Sequence, residues 1–369
     1  MVATAACWLL LAATTGVAAA GPSDDPRFDQ QWNLTQIGAA EAWDTSTGSG
    51  VKIGIVDSGI DAGHPDLAAK IDAQADCTDG PCREGSATDA DGHGTSVAGV
   101  AAAATDNGIG IAGVAPDARL VVAKVLDDEG AGRIEDINSG IRWVVDNGAK
   151  IVSLSLGDPA AIRARSGNTL ESGIQYAWTR GAIPVLAAGN FNSGVLGTGS
   201  AGYGNLNAIV VGATDRKGVV AFYSSPLGNA KWGIVAPGGN SKGSGEDILS
   251  TEAGGDYDWT AGTSLAVPHV SGALALVLAQ GLGQQAAVDR LLATLDSSSP
   301  CGDGCRGRLK ADAAVRSGPA VSPSTSVAPG GSGGGDDDSG GSLPLFVAIG
   351  VGVLVAVGAG VGIGLKRRS

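Results

Sequence analysis

Three residues in separate glycine-flanked segments have types and positions suited to chemistry. His93 is one of three histidines, and it best suits a catalytic base because glycines flank it at the start of an Ala-rich helix, where it can be reached. Ser264 follows a glycine-containing turn at the start of a predicted helix, so its hydroxyl lies near the positive end of the helix dipole. Asp57 ends a β-branched run. Alone, Ser264 reads as a helix cap and Asp57 as a turn residue, but together these types are those of acyl transfer through a serine nucleophile.

The other two histidines suit structural roles better. His64 lies in a His-Pro-Asp-Leu segment that is typical of a turn. His269 follows Ser264 by five residues, which is more than one helical turn and places it off the face that carries Ser264. We therefore expect His269 to pack inside the fold.

The segments around these residues alternate between strand and helix patterns. This alternation predicts an α/β domain whose mostly parallel sheet is covered by helices on both faces. Functional residues should then lie at the carboxyl ends of strands, and Asp57 and Asn190 both follow such an end. The predicted strands are 51–56, 118–125, 150–156, 183–188, 208–213 and 232–236, and the predicted helices are 95–104, 133–146, 169–180, 263–279 and 284–295.

Three longer segments carry a resemblance to a known family. They are Ile-Val-Asp-Ser-Gly-Ile-Asp at 55–61, Asp-Gly-His-Gly-Thr-Ser-Val-Ala-Gly at 91–99 and Gly-Thr-Ser-Leu-Ala-Val-Pro-His at 262–269. They resemble the three active-site signatures of the subtilisin-like (subtilase) serine peptidases, most closely the thermitase-like members, over about residues 25–315. The resemblance implies a three-layer subtilisin-like fold in which Ser264 is the nucleophile, His93 its general base and acid, and Asp57 the group that orients His93.

The same resemblance implies an oxyanion donor and a substrate site. Asn190, in Ala-Ala-Gly-Asn, would donate to the oxyanion together with the backbone N–H of Ser264. Read only as a turn residue, Asn190 would leave the oxyanion without this donor. Polypeptide substrates would bind as an added strand against two edges of small residues. The implied substrate-binding residues are Gly130, Ala131, Gly132, Ser155, Leu156, Gly157, Ala188 and Gly189.

Two departures from the family pattern stand out. Leu265 follows the nucleophile where the family usually has Met, whose thioether is the group most open to oxidation. This predicts unusual tolerance of peroxide. No pro-domain lies between the leader and Asp25, whereas most relatives need one to fold, so we expect either an upstream start or unaided folding.

The resemblance also implies one structural Ca²⁺ and no organic cofactor. Hard oxygen ligands in a loop suit Ca²⁺, and the alternative is a solvated acidic turn. The implied ligands are the side chains of Asp25, Asp66 and Asn107 and the carbonyls of Thr105, Ile109 and Ile111.

The cysteines indicate an oxidising compartment. Cys7 lies in the leader, and the other four form two close pairs around Gly and Pro, which predicts the local disulfides Cys77–Cys82 and Cys301–Cys305. Four cysteines could also bind zinc, but neither pair has Cys-x-x-Cys spacing.

The ends of the chain predict secretion and a membrane anchor. Residues 1–21 resemble a signal peptide that ends in small residues. Residues 317–342 form a predicted disordered linker of Pro, Ser, Gly and Asp after the peptidase domain, 25–316. Residues 343–365 are uncharged and apolar, long enough for a helix across a core of about 30 Å. The basic tail, 366–369, would remain cytoplasmic, so the peptidase domain of this single-pass protein would be extracellular at the cell membrane.

These features predict a secreted, membrane-anchored serine endopeptidase with a monomeric ectodomain. The net charge of −13 argues against nucleic acid as a partner, because a polyanion would be repelled. A narrow-specificity processing protease of a secretion or cell-wall system is an alternative. A non-catalytic surface binder is another, but it should have lost a member of the triad or the oxyanion Asn, and none is lost.

Overall fold

Runs of β-branched residues form most strands of the fold. The computed structural model describes residues 23–156, 170–191 and 204–317, with the backbone alone at 162–163, 193–194 and 197–198. The described strands are β1 Lys52–Asp57, β2 Ile71–Asp76, β3 Arg83–Glu84, β4 Arg119–Lys124, β5 Gly132–Arg133, β6 Ile151–Leu154, β7 Ile162–Arg163, β8 Ile183–Ala187, β9 Ser193–Gly194, β10 Gly197–Thr198, β11 Ile209–Thr214, β12 Trp232–Pro237, β13 Ile248–Glu252, β14 Asp256–Thr260 and β15 Cys305–Arg308.

Nine of these strands form one sheet in the order β15-β12-β11-β8-β6-β1-β4-β2-β3. Every neighbouring pair is parallel except β2 and β3, which pair antiparallel at one edge. The predicted mostly parallel α/β sheet is therefore confirmed. Three short pairs lie outside it: β13 with β14, β5 with β7, and β9 with β10.

Helices cover both faces of the sheet. The described α-helices are α1 Trp32–Ile37, α2 Ala39–Trp43, α3 His93–Ala102, α4 Ile134–Asp146, α5 Glu171–Thr179, α6 Thr263–Leu278, α7 Gln284–Ala293 and α8 Ala311–Arg316. Side chains of α3 and α6 share one apolar core with Ile53 and Ile55 of β1. Side chains of α4 and α5 share a second core with Val56, which points to the opposite face as strand alternation requires.

Several elements are absent from the sequence prediction. Strand β2 alternates Ile71, Ala73 and Ala75 with polar residues, but Ala, Asp and Gln favour strands weakly. Strands β13 and β14 form an antiparallel hairpin whose turn contains Gly254 and Gly255. The short helices α1 and α2 are separated by Gly38, which adopts a left-handed conformation.

The structure contains both predicted disulfides, Cys77–Cys82 and Cys301–Cys305. These four cysteines are therefore not zinc ligands. The predicted leader, the linker and the 343–365 helix lie outside the described residues. Within the described ranges, no helix has both the length and the apolar character needed to cross a membrane.

Candidate active site

Asp57 and His93 meet at the carboxyl edge of the sheet. Asp57 is the last residue of β1, and His93 is the first residue of α3. The Nδ1 atom of His93 lies 2.7 Å from Oδ1 of Asp57. Because the carboxylate can only accept, Nδ1 carries the proton and Nε2 is the nitrogen that can act as a base. The Asp57 side chain is fully buried, whereas the His93 side chain keeps 31% of its surface exposed.

The charge of Asp57 controls the proton affinity of His93. Burial lowers the pKa of His93, but the charge and hydrogen bond of Asp57, with the charges of Asp91 and Asp89, outweigh burial and raise this pKa to about 9. The site thus stabilises the protonated imidazole before substrate binds. Such stabilisation suits a group that takes up a proton and holds it.

A buried polar network around Asp89, which was not predicted from the sequence, holds the segments of both residues in place. One oxygen of Asp89 accepts hydrogen bonds from the Ser58 hydroxyl and the Gly92 N–H, at 2.9 Å each. Its other oxygen accepts from the N–H and the hydroxyl of Thr95, at 2.8 and 2.6 Å. Asp89 therefore ties the turn after β1 to the first turn of α3. Its position just before a helix could have indicated this role, because Asp commonly accepts backbone N–H groups there.

Close backbone approach locks the same junction. A Cβ atom on Gly94 would lie 2.2 Å from the carbonyl oxygen of Gly59. Only glycine therefore lets the start of α3 rest on the turn after β1. The N–H of Gly94 also donates to the Ser58 hydroxyl at 2.9 Å.

Ser264 and Asn190 lie on either side of an open space next to Gly262. Ser264 is the second residue of α6. A Cβ atom on Gly262 would lie 2.8 Å from Oγ of Ser264 and 3.6 Å from Nδ2 of Asn190, so the missing side chain keeps this space open. The Asn190 amide is oriented by Thr263, whose N–H and hydroxyl both donate to Oδ1 at 3.1 Å. This turns the Nδ2 donor toward the space beside Ser264.

The two halves of the site are carried by packed helices. Helices α3 and α6 contact each other, and the Ser155 hydroxyl donates to the carbonyl of Ser264 at 2.8 Å. Among the described contacts, His93 and Ser264 share no hydrogen bond. Such bonds commonly tighten only when substrate is bound.

Removing the Asn190 donor should slow catalysis without weakening substrate binding. We expect Asn190→Leu to lower kcat about 10²–10³-fold with little change in KM, the size that this change has in subtilisin. Steady-state kinetics on a peptide anilide would measure it. Asn207→Leu, the loss of an amide whose Oδ1 accepts only from Nζ of Lys231 among the described contacts, is the matched control and should leave kcat unchanged. A tenfold rise in KM at constant kcat for Asn190→Leu would contradict the oxyanion role.

The predicted substrate edges have partners of their own. The Ala131 carbonyl accepts from the Asp127 N–H at 2.7 Å, and the Ala131 N–H donates to the Asp127 carboxylate at 2.8 Å. Gly132 pairs with Ile162 in the β5–β7 ladder. Gly157 lies outside the described residues. The roles of the two edges stay predictions.

Further predicted substrate residues lie close to Asn190 in the chain. The Ala188 N–H donates to Val211 at 2.9 Å, and the Gly189 carbonyl accepts from Ser225 at 2.9 Å. Leu156 is buried after β6. The backbone of Ala188 and Gly189 is thus held in place next to Asn190.

Most of the predicted calcium ligands cluster in the structure. The Asn107 N–H donates to Asp25 at 3.1 Å, and its side-chain amide donates to Asp66 at 2.9 Å. The Ile109 N–H donates to the Asn107 side chain at 3.0 Å, and the Ile111 N–H donates to Asp66 at 3.1 Å. Thr105 belongs to the same loop. In the part of the chain that is described, no three His, Cys, Asp or Glu side chains form a metal-binding group.

The remaining histidines are structural, as expected. His269 is buried, with Nδ1 2.8 Å from the Leu265 carbonyl and Nε2 2.8 Å from the Asn33 amide. Burial lowers the pKa of His269 to about 4, so it is neutral at ordinary pH. His64 holds its turn, because its Nδ1 accepts the Asp66 N–H at 3.1 Å, and its Nε2 lies 3.0 Å from the Asp256 carbonyl.

Comparisons with known proteins show the family of the chain. Residues 48–299 match the model of the subtilase family. The chain is 37% identical to thermitase of Thermoactinomyces vulgaris over 299 residues, covering 79% of this chain and 99% of thermitase. It is 40% identical to subtilisin Savinase of Lederbergia lenta over 247 residues, covering 67% and 83% of the two chains. A solved protease structure from Pseudoalteromonas arctica is similar with a TM-score of 0.70 and 31% identity, covering 80% of this chain and 99% of that one. The chain belongs to the subtilase family and is a serine endopeptidase.

Proposed function

We propose that the protein is a secreted, membrane-anchored endopeptidase that cuts polypeptides through an Asp57-His93-Ser264 triad. One observation carries this proposal: the buried Asp57 carboxylate bonds Nδ1 of His93 at 2.7 Å, on the helix that packs against the helix carrying Ser264. This leaves Nε2 as the base, at the edge of the sheet where Asn190 and Ser264 flank an open space.

The proposed reaction has two halves. Ser264 Oγ attacks the scissile carbonyl carbon while its proton passes to Nε2 of His93, and the oxyanion accepts hydrogen bonds from Asn190 Nδ2 and the Ser264 N–H. His93 then gives the proton to the leaving amine as the C–N bond breaks, which leaves an acyl-enzyme. Water attacks the acyl carbon and gives a proton to His93. The ester bond breaks, and Ser264 regains its proton.

Digestion of a denatured protein tests the endopeptidase proposal. We expect the full-length chain to cut reduced casein at internal bonds, and phenylmethylsulfonyl fluoride to stop the cleavage. Release of single residues from the ends alone, or intact casein beside a folded chain, would contradict it.

A structural Ca²⁺ fits the residues around Asn107. Asp25 and Asp66 are buried, at 4% and 0% exposure, and neither forms an ion pair with a basic side chain among the described residues. Burial raises the pKa of Asp25, and the nearby charge of Asp66 raises it further, against hydrogen bonds that lower it. A dication held by these oxygens with Asn107 and the loop carbonyls would offset both charges and cross-link residue 25 to the 105–111 loop.

Calcium removal should therefore destabilise the fold. With calcium at 100 times its Kd, chelation should lower Tm by roughly 5–10 °C, because binding to the native state alone contributes about 2.7 kcal/mol. Calorimetry with and without EDTA would measure this shift, and Asp25→Ala should abolish it. An unchanged Tm of the parent chain after chelation would contradict the site.

Leu265 should make activity resistant to peroxide. Leu265 is buried beside Trp32, Val100 and Ile248, and the sequence has no Met other than Met1. We expect hydrogen peroxide that inactivates a Leu265→Met variant to leave the parent chain active, since no thioether lies beside the nucleophile. Residual activity after timed exposure measures the effect. Equal rates of loss in the two proteins would contradict this explanation.

The predicted apolar stretch at 343–365 supports the anchoring part of the proposal, together with the leader-like residues 1–21. Extracellular placement agrees with the two disulfides. The full-length chain should sediment with membranes and resist a carbonate wash, whereas a chain lacking 343–369 should be released. Release of both forms by the wash would contradict anchoring.

A further inference from the structure

A cavity of about 670 Å³ lies beside the β12–β15 edge of the sheet, and it contains none of the proposed catalytic residues. Its walls come from the turn after β11, the ends of β12 and β15, and the loop at the Cys301–Cys305 disulfide. The volume is that of a typical binding site for a small ligand or a short peptide segment. Its charged lining residues are Arg216, Lys217, Asp296, Arg308 and Lys310.

The cavity is cationic in a protein whose net charge is −13. Four basic side chains line it against one carboxylate. None of the four forms an ion pair within the described residues. A concave site with one sign of charge concentrates ligands of the opposite sign.

Backbone carbonyls hold the two inner cations in place. The Nε atom of Arg308 donates to the Gly218 carbonyl at 2.6 Å, and Nζ of Lys310 donates to the Gln36 carbonyl at 2.9 Å. Nη1 of Arg308 also donates to the Ser299 carbonyl at 3.3 Å. A guanidinium has five N–H donors and an ammonium has three, so further donors remain on both groups. Because both side chains are half-buried and already positioned, a ligand would order little more of the protein on binding.

Asp296 does not neutralise this charge by pairing with a cation. The hydroxyl and N–H of Ser298 lower the pKa of Asp296, and the charges of Arg308 and Lys310 lower it further. Asp296 accepts the Ser298 N–H at 2.9 Å. Its carboxylate is therefore satisfied locally, and the basic groups outnumber it.

The rest of the lining is largely apolar. Val219 is 58% exposed, one of few large apolar side chains with such exposure among the described residues. Val220, Pro237, Pro300 and Leu309 continue the apolar wall. A ligand that matches both features carries anionic groups and apolar groups within a short span.

We propose that this cavity binds an acidic segment of a polypeptide, with its carboxylates on the basic side chains and its apolar side chains against the Val219 wall. This inference rests on the proposed function, because the substrates of an endopeptidase supply such segments. The half-buried cations Arg308 and Lys310 and the apolar wall favour a peptide, which can enter the cavity, over an anionic lipid surface, which contacts exposed basic residues.

Direct binding tests the proposal without cleavage. The probe is a fluorescein-labelled hexapeptide of alternating Glu and Leu, added to the full-length Ser264→Ala chain and followed by fluorescence anisotropy. A matched Gln/Leu hexapeptide removes the charges. We expect binding of the Glu/Leu peptide that weakens with added salt, and at least tenfold weaker binding of the Gln/Leu peptide.

Paired variants locate the site. Arg216→Gln with Lys217→Gln, both at exposed positions, should raise the Kd of the Glu/Leu peptide at least tenfold while leaving hydrolysis of a short neutral anilide unchanged in the Ser264 parent. The control is Arg142→Gln with Arg180→Gln, which removes the same charge from two exposed arginines over the Tyr176 ring. That control should leave the Kd unchanged.

Vesicles of anionic phosphatidylserine are tested in parallel by sedimentation with the same variants. Three results would overturn the inference: no binding of the Glu/Leu peptide, equal losses of peptide binding in both double variants, or a loss in Arg216→Gln with Lys217→Gln that affects binding to the vesicles and not to the peptide. The catalytic proposal is judged separately by labelling of the Ser264 parent with a fluorophosphonate. Labelling without peptide binding would contradict only the proposed peptide site in the cavity. Peptide binding without labelling would contradict only the proposed catalytic triad.

Discussion

Asp57→Asn is expected to lower kcat by about 10⁴-fold, the size of this change in other serine proteases, while leaving the fold intact. An asparagine amide can donate to Nδ1 of His93, which moves the imidazole proton to Nε2 and removes the base that Ser264 requires. Steady-state kinetics on a peptide anilide measure the loss. Asp76→Asn, at the end of strand β2, which β4 separates from β1 in the sheet, is the matched control and should retain activity.

The same variant should change the response to pH. Only neutral His93 can accept the proton, so kcat/KM of the parent chain should rise with pH up to about 9, the pKa to which Asp57 raises His93. The free energy of unfolding should instead decrease as the pH rises. Because the pKa of His93 is higher in the folded state than in the unfolded state, protonation of His93 stabilises the fold. This contribution is complete below about pH 6.5, the ordinary pKa of His, and is lost as the pH rises toward 9.

In Asp57→Asn, the loss of charge should return both transitions toward pH 6.5. Residual kcat/KM and Tm, each measured from pH 5 to 10, would report the two transitions. A midpoint of the kcat/KM profile that is the same in parent and variant would contradict the role of Asp57.

Ser264→Ala is expected to lower kcat by on the order of 10⁶-fold, as loss of the nucleophile does in subtilisin. Binding of substrate should change little, because the lost hydroxyl acts on the reacting carbon. Ser271→Ala is the matched control within α6. It removes a hydroxyl that donates to Ser153 at 3.0 Å, so it should cost about 1–3 kcal/mol of stability while activity is retained. Comparable kcat losses in the two variants would contradict the assignment of Ser264.

The parallel sheet was predictable because its strands carry strong signals. β1, β4, β8 and β11 are short apolar runs followed by turns, and the helices between them show clear apolar spacing. Strand β2, which lies between β4 and the edge strand β3, is half polar, so its pairing depends on the neighbouring β4 rather than on its own composition. The hairpin of β13 and β14 likewise owes its place to packing against α3.

The candidate site was predictable where chemistry demands particular residue types. The residues Asp57, His93 and Ser264 lie in recognisable segments, and the structure joins the first two directly. Asp89 was missed because its function depends on contacts with Ser58 and Thr95, which are distant in sequence or unremarkable in type. The cationic cavity was missed for a related reason, since Arg216 and Arg308 come together only in the fold.

Labelling with a fluorophosphonate tests the central claim most directly, because the reagent phosphonylates only a serine that an adjacent base activates. The full-length chain, the Ser264→Ala variant and the Ser271→Ala control would be treated in parallel, with calcium present and folding checked by circular dichroism. The account predicts labelling of the parent and of Ser271→Ala at Ser264, and none of Ser264→Ala. A folded parent that remains unlabelled, or a label that persists in Ser264→Ala, would contradict the proposed triad.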